Sequence, residues 1–362
     1  MGSQMKLIQS LDTTGARAVE TFVHEGVRYL AIPQLAADVE GQAPSITVGN
    51  SDIEALVYKW DGKQFILATK LEVPGGEDAE FFRIGERAFL ATASLRTGSG
   101  PYDLNAHSTL YELHGGQFVP FQRIPTLAAK QWKHFRMGER HFMAMAQGVA
   151  MPGVEARHPS ASAIFEWSGD SFQPFQEIKS AWGYNWLFFE WAGQHFLAYA
   201  DHIEASRILR WNGAEFEPFQ VLEGKTGRAF CFFEALGRAW LVFACLHDET
   251  VLYVWNGTRF EKHQVIAGPG GRELRWLERE QALVLVNFLL GTREHPLPSM
   301  QSALYGFKGD QLVITQEFPT LGGTDATAFR DGEETFLVVS NCLSEGIRFR
   351  TESKVYRLDA TT

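Results

Sequence analysis

Charged and polar side chains recur at two fixed distances before a repeated aromatic position. That position is occupied in turn by Phe22, Phe82, Phe135, Phe189, Phe233, Trp276 and Phe329. Four residues earlier the chain carries Ala18, Asp78, Gln131, Asn185, Ala229, Arg272 and Asp325. Two residues earlier it carries Glu20, Glu80, Lys133, Leu187, Cys231, Leu274 and Thr327. If equivalent positions face one another, these two sets line a polar channel.

The first set predicts a metal site. Asp78 and Asp325 belong to the segments on either side of the one that contains the small Ala18. Their carboxylates are therefore expected to converge, and oxygen ligands of this kind suit Ca²⁺ or Mg²⁺. The alternative is a solvated channel in which aspartate pairs with Arg272, or glutamate with Lys133. The sequence implies no organic cofactor.

Glu20, Glu80 and Lys133 are candidate catalytic residues, because carboxylates crowded beside a lysine acquire perturbed pKa values. His202 and His247 are further candidates for acid–base chemistry, since each lies next to an aspartate in the sequence. Solvated surface histidines are the alternative. The sequence contains no HExxH, Gly-x-Ser-x-Gly, paired CxxC or Walker pattern. The pattern therefore favours binding over catalysis.

A ligand-binding wall is predicted where aromatic residues crowd the start of the fourth segment. Trp182 and Tyr184 are the aromatic members, and Asn185, Gln131 and Arg272 are the polar groups expected beside them. Packing of these aromatic rings between segments is the alternative.

A repeated unit of four predicted strands positions all of these residues. Each aromatic position is followed eight residues later by an apolar one, with a turn between them. A third strand such as Ser108-Thr-Leu-Tyr111 follows, and then a turn pair such as Asp61-Gly62 or Asn256-Gly257, which predicts a two-residue hairpin. Fourth strands such as Phe172-Gln-Pro-Phe-Gln176 complete the unit.

Seven such units predict an all-β, seven-bladed β-propeller with four antiparallel strands per blade. The seventh unit ends at Leu358 without a fourth strand, whereas Leu7–Asp12 has the pattern of one. The N-terminal strand is therefore predicted to close the last blade. We expect a single domain over residues 5–362, preceded by an expression remnant at residues 1–4.

The predicted loops differ between the two faces of the propeller. Second-to-third loops are long at 35–54, 95–107, 148–161, 289–301 and 342–352, and short at 202–205 and 246–249. Long loops on a rigid scaffold commonly carry function, although an idle surface is the alternative. The leading prediction is a non-catalytic scaffold whose long-loop face binds a protein or another partner. The alternatives are an enzyme of lyase, cyclase or hydrolase type, or a small-ligand binder, with its site at the channel mouth.

Composition excludes several partner classes. The 33 basic and 43 acidic residues give a formal charge of −10 with no basic run, which argues against nucleic acid and anionic membranes. Cys231, Cys245 and Cys342 are unclustered and predicted to be reduced and buried. With no signal-peptide core at the N-terminus, a cytoplasmic location is expected. The sequence leaves the oligomeric state open.

Three stretches of the chain resemble the epilepsy-associated repeat, also called EPTP. They are Asp78-Ala-Glu-Phe-Phe82, Phe89-Leu-Ala-Thr-Ala93 and Phe172-Gln-Pro-Phe-Gln-Glu-Ile178. The likeness extends over nearly all of residues 6–359. The resemblance implies a seven-bladed propeller that binds protein partners, as in secreted leucine-rich glioma-inactivated proteins, and it implies calcium in the central channel.

Overall fold

The computed structural model describes residues 4–359, which form a ring of seven four-stranded antiparallel sheets. Strand β1 (Gln4–Thr14) comes first in the chain but belongs to the last blade. Blade 1 consists of β2 (Glu20–His24), β3 (Val27–Ile32), β4 (Glu54–Trp60) and β5 (Phe65–Glu72). Blade 2 consists of β6 (Gly76–Ile84), β7 (Arg87–Ser94), β8 (Asn105–His114) and β9 (Gln117–Leu127). Blade 3 consists of β10 (Gln131–Met137), β11 (Arg140–Ala146), β12 (Ser162–Trp167) and β13 (Phe172–Ile178).

The remaining blades follow the same order from the inner to the outer strand. Blade 4 consists of β14 (Gly183–Trp191), β15 (Gln194–Asp201), β16 (Arg207–Trp211) and β17 (Phe216–Val221). Blade 5 consists of β18 (Gly227–Ala235), β19 (Arg238–Cys245), β20 (Thr250–Trp255) and β21 (Phe260–Ala267). Blade 6 consists of β22 (Gly271–Leu277), β23 (Ala282–Asn287), β26 (Ser299–Lys308) and β27 (Gln311–Leu321), with a small hairpin of β24 (Leu290–Gly291) and β25 (Pro296–Leu297) in its loop. Blade 7 consists of β28 (Gly323–Asp331), β29 (Glu334–Asn341), β30 (Arg350–Asp359) and β1. The predicted seven-bladed, all-β architecture is confirmed.

The ring closes through the N-terminal strand, as predicted. Strand β1 pairs antiparallel with β30, so that Leu7 lies opposite Tyr356. The hydroxyl of Thr13 donates a 2.7 Å hydrogen bond to the carbonyl of Thr351. Because the outer strand of blade 7 comes from the opposite end of the chain, this blade joins the two ends of the described chain. Residues 1–3 of the predicted expression remnant lie outside the described residues, whereas Gln4 begins β1.

The third-to-fourth turns differ in part from the prediction. Two-residue turns occur in blades 2 and 6, at 115–116 and 309–310. Where Asp-Gly, Asn-Gly or Ser-Gly was expected to form such a turn, four residues separate the strands, as between Trp60 and Phe65. Asp61 accepts hydrogen bonds from the backbone N–H groups of Lys63 and Gln64, both at 2.8 Å, and this side-chain capping stabilises the wider loop.

Aromatic stacking joins successive blades and corrects the alignment of blade 6. In each of blades 2 to 6 the residue before the repeated inner-strand position stacks on the aromatic residue of the preceding blade. Ring centroids lie 4.3 Å apart for Phe22–Phe81, 4.4 Å for Phe82–His134, 4.7 Å for Phe135–Phe188, 4.5 Å for Phe189–Phe232 and 4.0 Å for Phe233–Trp276. Trp276 is therefore the stacking residue, and the buried Leu277 occupies the repeated aromatic position. The prediction that placed Trp276 there was wrong by one residue, because the first hairpin of blade 6 is two residues shorter beyond this position: four residues separate Leu277 from its partner Ala282, whereas six separate Phe82 from Phe89.

The core lies in the contacts between blades, where each hydrophobic cluster combines residues of neighbouring sheets. The three cysteines are buried and unpaired, as predicted. Among residues 4–359, no helix has the length and apolar character needed to cross a membrane.

Candidate functional site at the channel mouth

The first residues of the inner strands form three successive layers of side chains, which we name from the long-loop face inward. The mouth layer contains Arg17, Glu77, Lys130, Tyr184, Arg228, Arg272 and Thr324. The middle layer contains Ala18, Asp78, Gln131, Asn185, Ala229, Glu273 and Asp325. The deep layer contains Glu20, Glu80, Lys133, Leu187, Cys231, Arg275 and Thr327. Arg272 and Leu274 do not belong to the two layers predicted for them, because the shift in blade 6 places Glu273 and Arg275 there.

A β-bulge produces the mouth layer in five blades. The strand register shifts between a glycine and the middle-layer residue, for example between Gly76 and Asp78, so the residue between them is left out of the ladder. Bulges of this kind redirect a side chain. Space also requires glycine there, since a Cβ atom on Gly183 would lie 2.4 Å from the hydroxyl oxygen of Tyr199. The backbone thus presents one extra side chain per bulged blade at the mouth.

The middle layer mostly connects neighbouring blades. Its polar side chains accept hydrogen bonds from backbone N–H groups of the next inner strand. These bonds are Trp132 N to Asp78 Oδ2 (2.8 Å), Trp186 N to Gln131 Oε1 (2.5 Å), Phe230 N to Asn185 Oδ1 (3.4 Å) and Val19 N to Asp325 Oδ2 (2.8 Å). Four of the residues predicted to bind a ligand or a metal therefore have a structural role between blades.

The same geometry bears on the predicted calcium site. Asp78 and Asp325 each use a carboxylate oxygen for the next blade, and the second oxygen of Asp325 accepts the N–H of Ala326 at 2.7 Å. Residues 4–359 contain no group of three or more His, Cys, Asp or Glu side chains arranged to hold a metal ion. Ca²⁺ normally takes six to eight oxygen ligands, so this donor set does not fit a resident calcium ion. Calcium binding stays a prediction.

The deep layer contains the predicted catalytic carboxylates and lysine. Lys133 Nζ lies 3.0 Å from Glu80 Oε1, while the carboxylate of Glu20 accepts the N–H of Phe81 at 3.2 Å. Burial and the neighbouring Glu80 raise the pKa of Glu20 to about 8, against the opposing effect of Lys133 and Arg275. Burial alone would lower the pKa of Lys133, but Glu80 and Glu20 outweigh it and raise that pKa above its ordinary value. In the deep layer the two carboxylates of Glu20 and Glu80 are therefore balanced by the two cations of Lys133 and Arg275.

Cations dominate the mouth layer. Three of them surround the ring of Tyr184: the guanidinium carbons of Arg228 and Arg272 lie 3.8 Å and 5.3 Å from its centroid, and Lys130 Nζ lies 5.4 Å away. Trp182 adds a second ring at 5.7 Å from Lys130 Nζ. The predicted aromatic wall and Arg272 are thus brought together.

The two predicted histidines border this cluster. His202 lies between Trp182 and His247, with ring centroids 5.0 Å and 6.4 Å away. Its Nδ1 atom is 3.0 Å from Arg228 Nη1 and so accepts a hydrogen bond. Burial and then Arg228 lower the pKa of His202 to about 4, and the same causes lower that of His247. The His202 imidazole is therefore neutral at pH 7, in agreement with its role as hydrogen-bond acceptor for Arg228. An acid–base role for either histidine stays a prediction.

Asp201 does not form the dyad with His202 that their adjacency predicted. Its carboxylate accepts hydrogen bonds from four backbone N–H groups, those of residues 181, 182, 203 and 204, and from the hydroxyl of Tyr199. The side chain closes the short loop of blade 4 and leaves the imidazole to Arg228. The structure therefore separates the two groups that the sequence placed side by side.

The long loops cover only part of the mouth. Loop residues of blades 1, 6 and 7 share one buried cluster that includes Leu35, Leu289 and Phe349, with Leu95 of blade 2 packed against it. Phe288, which packs against this cluster, lies 5.5 Å from the guanidinium of Arg17. The loops of blades 4 and 5 are short, as predicted, and beside them Trp182, Tyr184 and His202 are half-buried while His247 is exposed. The mouth is therefore accessible from the side of blades 4 and 5.

Comparisons with known proteins identify the repeat. The EPTP domain model matches residues 117–168 and 171–212. The human thrombospondin-type laminin G domain and EAR repeat-containing protein is 32% identical over 164 residues, which are 43% of this chain and 22% of that protein. Its mouse counterpart is 36% identical over 99 residues, which are 27% of this chain and 14% of that protein. The matched part of the chain consists of EAR/EPTP repeats.

The chain thus matches about a fifth of the length of the human relative. Among solved structures, Sqt1 of Saccharomyces cerevisiae superposes with a TM-score of 0.60 over 99% of this chain and 100% of that chain, at 10% identity. At that identity the likeness shows the fold alone.

The glutamine of the EAR/EPTP repeat has a clear structural role. Gln176 donates to the carbonyl of Phe216 at 2.7 Å and accepts the N–H of the same residue at 3.0 Å, which binds the outer strand of blade 3 to that of blade 4. Gln122, Gln220 and Gln264 make the same paired bonds between other neighbouring blades. In this chain, these glutamines therefore join the outer strands of neighbouring blades.

Sequence reasoning missed Lys130, Arg228, Arg17 and Glu77, which lie five residues before the repeated aromatic position. For Glu77 and Arg228 the signal was the preceding glycine, at 76 and 227, which marks the bulge. Lys130 and Arg17 follow an alanine, and the sequence gives no such signal for them. With the glycines at 76, 183, 227, 271 and 323 as reference points, the mouth-layer residues of the five bulged blades can be identified from the sequence.

Proposed function

We propose that this chain is a non-catalytic binding scaffold that engages a protein partner through its long-loop face. The observation that carries this proposal is that the long loops join into one ordered surface. We call the loops at 33–53, 95–104, 147–161, 288–298 and 342–349 the loop surface.

Hydrogen bonds connect these loops from blade to blade. Between blades 7 and 1, Arg348 Nη1 donates to the carbonyl of Gln42 at 3.0 Å. Between blades 1 and 2, the N–H of Ser51 donates to the carbonyl of Gly98 at 2.8 Å. Between blades 2 and 3, Asn105 Nδ2 donates to the carbonyl of Glu155 at 3.0 Å. A surface ordered in advance binds with a smaller entropic cost.

The match to the EPTP repeat and to an EAR repeat-containing protein supports the same function, since propellers of this repeat type typically mediate protein interactions. The buried, unpaired thiols are typical of a reducing compartment and support a cytoplasmic location. A small-ligand binder or an enzyme at the channel mouth is the second candidate, favoured by the cations around Tyr184.

The test uses a partner captured on the immobilised chain, identified and purified. Affinity is then measured for two double variants of equal charge change. Glu40→Lys with Arg293→Glu alters exposed positions of the loop surface, and Lys63→Glu with Glu86→Lys alters the tight-turn face. We expect the first variant to raise the Kd at least about tenfold and the second to leave it unchanged. Loss of affinity in the second variant only, or equal loss in both, would reject the loop face as the binding site.

A further inference from the structure

We propose that the channel mouth binds an oxyanion, a carboxylate or a phosphate group, between Lys130, Arg228 and Arg272 and beside the rings of Trp182 and Tyr184. This inference goes beyond the protein-binding function, because an anion can bind the mouth whether or not the loop surface holds a partner. The proposal rests on three observations: the excess of cations in the mouth layer, the N–H donors there that have no acceptor in the described part of the chain, and the access to the mouth from the side of blades 4 and 5.

The charge balance comes first. The mouth layer holds four cations and one carboxylate, Glu77, which lies 3.3 Å from Arg17 Nε and 3.7 Å from an Nη atom of Arg272. Asp201 also acts on Lys130, but its oxygens are committed to backbone N–H groups. Lys130 and Arg228 are 6% and 3% exposed and have no carboxylate within salt-bridge distance among residues 4–359. Buried cations without a counterion are costly, and a bound anion would remove that cost.

Unused hydrogen-bond donors point to the same place. Arg272 is 7% exposed, and among residues 4–359 its buried Nε atom has no hydrogen-bond partner; neither does Nε1 of Trp182. Within the described chain, the hydrogen bonds of the Arg228 guanidinium all use Nη1. Lys130 Nζ uses two of its three protons, on the carbonyls of residues 128 and 148. Buried polar groups are normally paired, so a cluster of unused donors around a cationic centre fits an oxygen-rich anion.

The surroundings restrict what can enter. The whole chain carries a formal charge of −10, so its overall field does not attract anions. Selectivity has to come from the local cluster. The half-buried Trp182 and Tyr184 rings next to the cations suit a ligand that carries an apolar body behind its anionic group.

Isothermal titration calorimetry of the whole chain at constant ionic strength tests the proposal. The probes are inorganic phosphate, succinate and acetylated tetraglutamate, with glycerol as the neutral control. We expect saturable binding of at least one anion and none of glycerol. Tighter binding of phosphate or succinate than of the peptide indicates a free small molecule as the natural occupant. Tighter binding of the peptide indicates an acidic side chain of a docked protein.

Three variants decide the location of the site. Arg228→Gln and Lys130→Met should each weaken anion binding at least about tenfold. Arg140→Gln removes the same charge on the tight-turn side of blade 3, where Arg140 pairs with Glu166, and should bind as the unmodified chain does. Circular dichroism confirms that each variant is folded, and Lys130→Met provides a second measurement if Arg228→Gln is not. Absence of saturable anion binding by the unmodified chain, or an equal loss in Arg140→Gln, would overturn the proposal.

Discussion

The mouth and deep layers of one channel handle buried charge in opposite ways. In the deep layer Lys133 meets Glu80 at 3.0 Å, and Arg275 acts on Glu20 and the nearby Asp325. In the mouth layer Lys130 lies among two arginines and two aromatic rings. The deep-layer lysine therefore has a carboxylate partner within its own layer, whereas the mouth-layer Lys130 has none within salt-bridge distance among residues 4–359.

The pKa values express this difference. Burial, which Arg228 and Arg272 reinforce, lowers the pKa of Lys130 to about 7 even though Glu77 and Asp201 favour its charge. The pKa of Lys133 is raised instead. Proteins commonly accept local instability where they bind ligands. Lys130 and Lys133 lie three residues apart in blade 3, yet carboxylates stabilise the charge of Lys133 while burial among other cations destabilises that of Lys130.

The largest effect is expected for Lys130→Met. The pKa of Lys130 is about 7 in the folded chain and near 10.5 when unfolded, so the unfolded chain binds more protons between these values. The free energy of unfolding therefore rises with pH across this window, and below pH 7 the full cost of the buried cation is present. Methionine should stabilise the fold by about 3 kcal/mol at pH 6, and the gain should shrink towards pH 10. Urea unfolding at both pH values measures this.

Lys133→Met is the matched control in the deep layer. It leaves Glu80 without its cation beside Glu20, so it should destabilise the fold at pH 7. If both lysine variants change stability in the same direction, the proposed contrast between the layers is wrong.

The fold was predictable because it depends on repetition. The Phe-x-x-Phe-Gln pattern identified the fourth strands, and the similar Leu7–Asp12 segment identified the strand that closes the ring. Because the unit occurs seven times, a residue misaligned in one unit does not change the predicted fold. The site was less predictable because one residue of register decides which layer a side chain joins. The shorter first hairpin of blade 6 shifted Arg272 and Glu273 by one position. The sequence adjacency of Asp201 and His202 did not reveal that the carboxylate of Asp201 accepts hydrogen bonds from the backbone.

A smaller effect with the opposite pH dependence is expected for Glu20→Gln. The pKa of Glu20 is about 8 in the folded chain and near 4.5 when unfolded, so the folded chain binds more protons between these values. The free energy of unfolding therefore falls as pH rises through this window. The Glu20 side chain is only partly buried, so we expect glutamine to stabilise the fold by about 2 kcal/mol at pH 8 and very little at pH 5. Glutamine keeps the oxygen that accepts the N–H of Phe81.

The exposed Glu86→Gln, on the tight-turn face, is the control for the Glu20 variant and should change stability equally little at both pH values. A gain for Glu20→Gln that is the same at pH 5 and pH 8 would show that the carboxyl group does not titrate in this window.

The smallest effect concerns the middle layer and separates an inter-blade role from a metal-binding role for Asp78. Alanine removes the acceptor for the N–H of Trp132 and should cost about 1 kcal/mol of unfolding free energy. Burial together with Glu80 raises the pKa of Asp78 well above its usual range, so the charged carboxylate is unfavourable at this position. Asparagine keeps an acceptor oxygen without the charge. Asp78→Asn should therefore equal or exceed the unmodified chain in stability. A calcium ligand would behave differently, since loss of the carboxylate charge would lower the thermal midpoint in calcium and make EDTA ineffective. Thermal unfolding distinguishes the two roles when it is measured with calcium and with EDTA for the unmodified chain, Asp78→Ala and Asp78→Asn. If EDTA destabilises the unmodified chain and Asp78→Asn is less stable than that chain, Asp78 is a metal ligand.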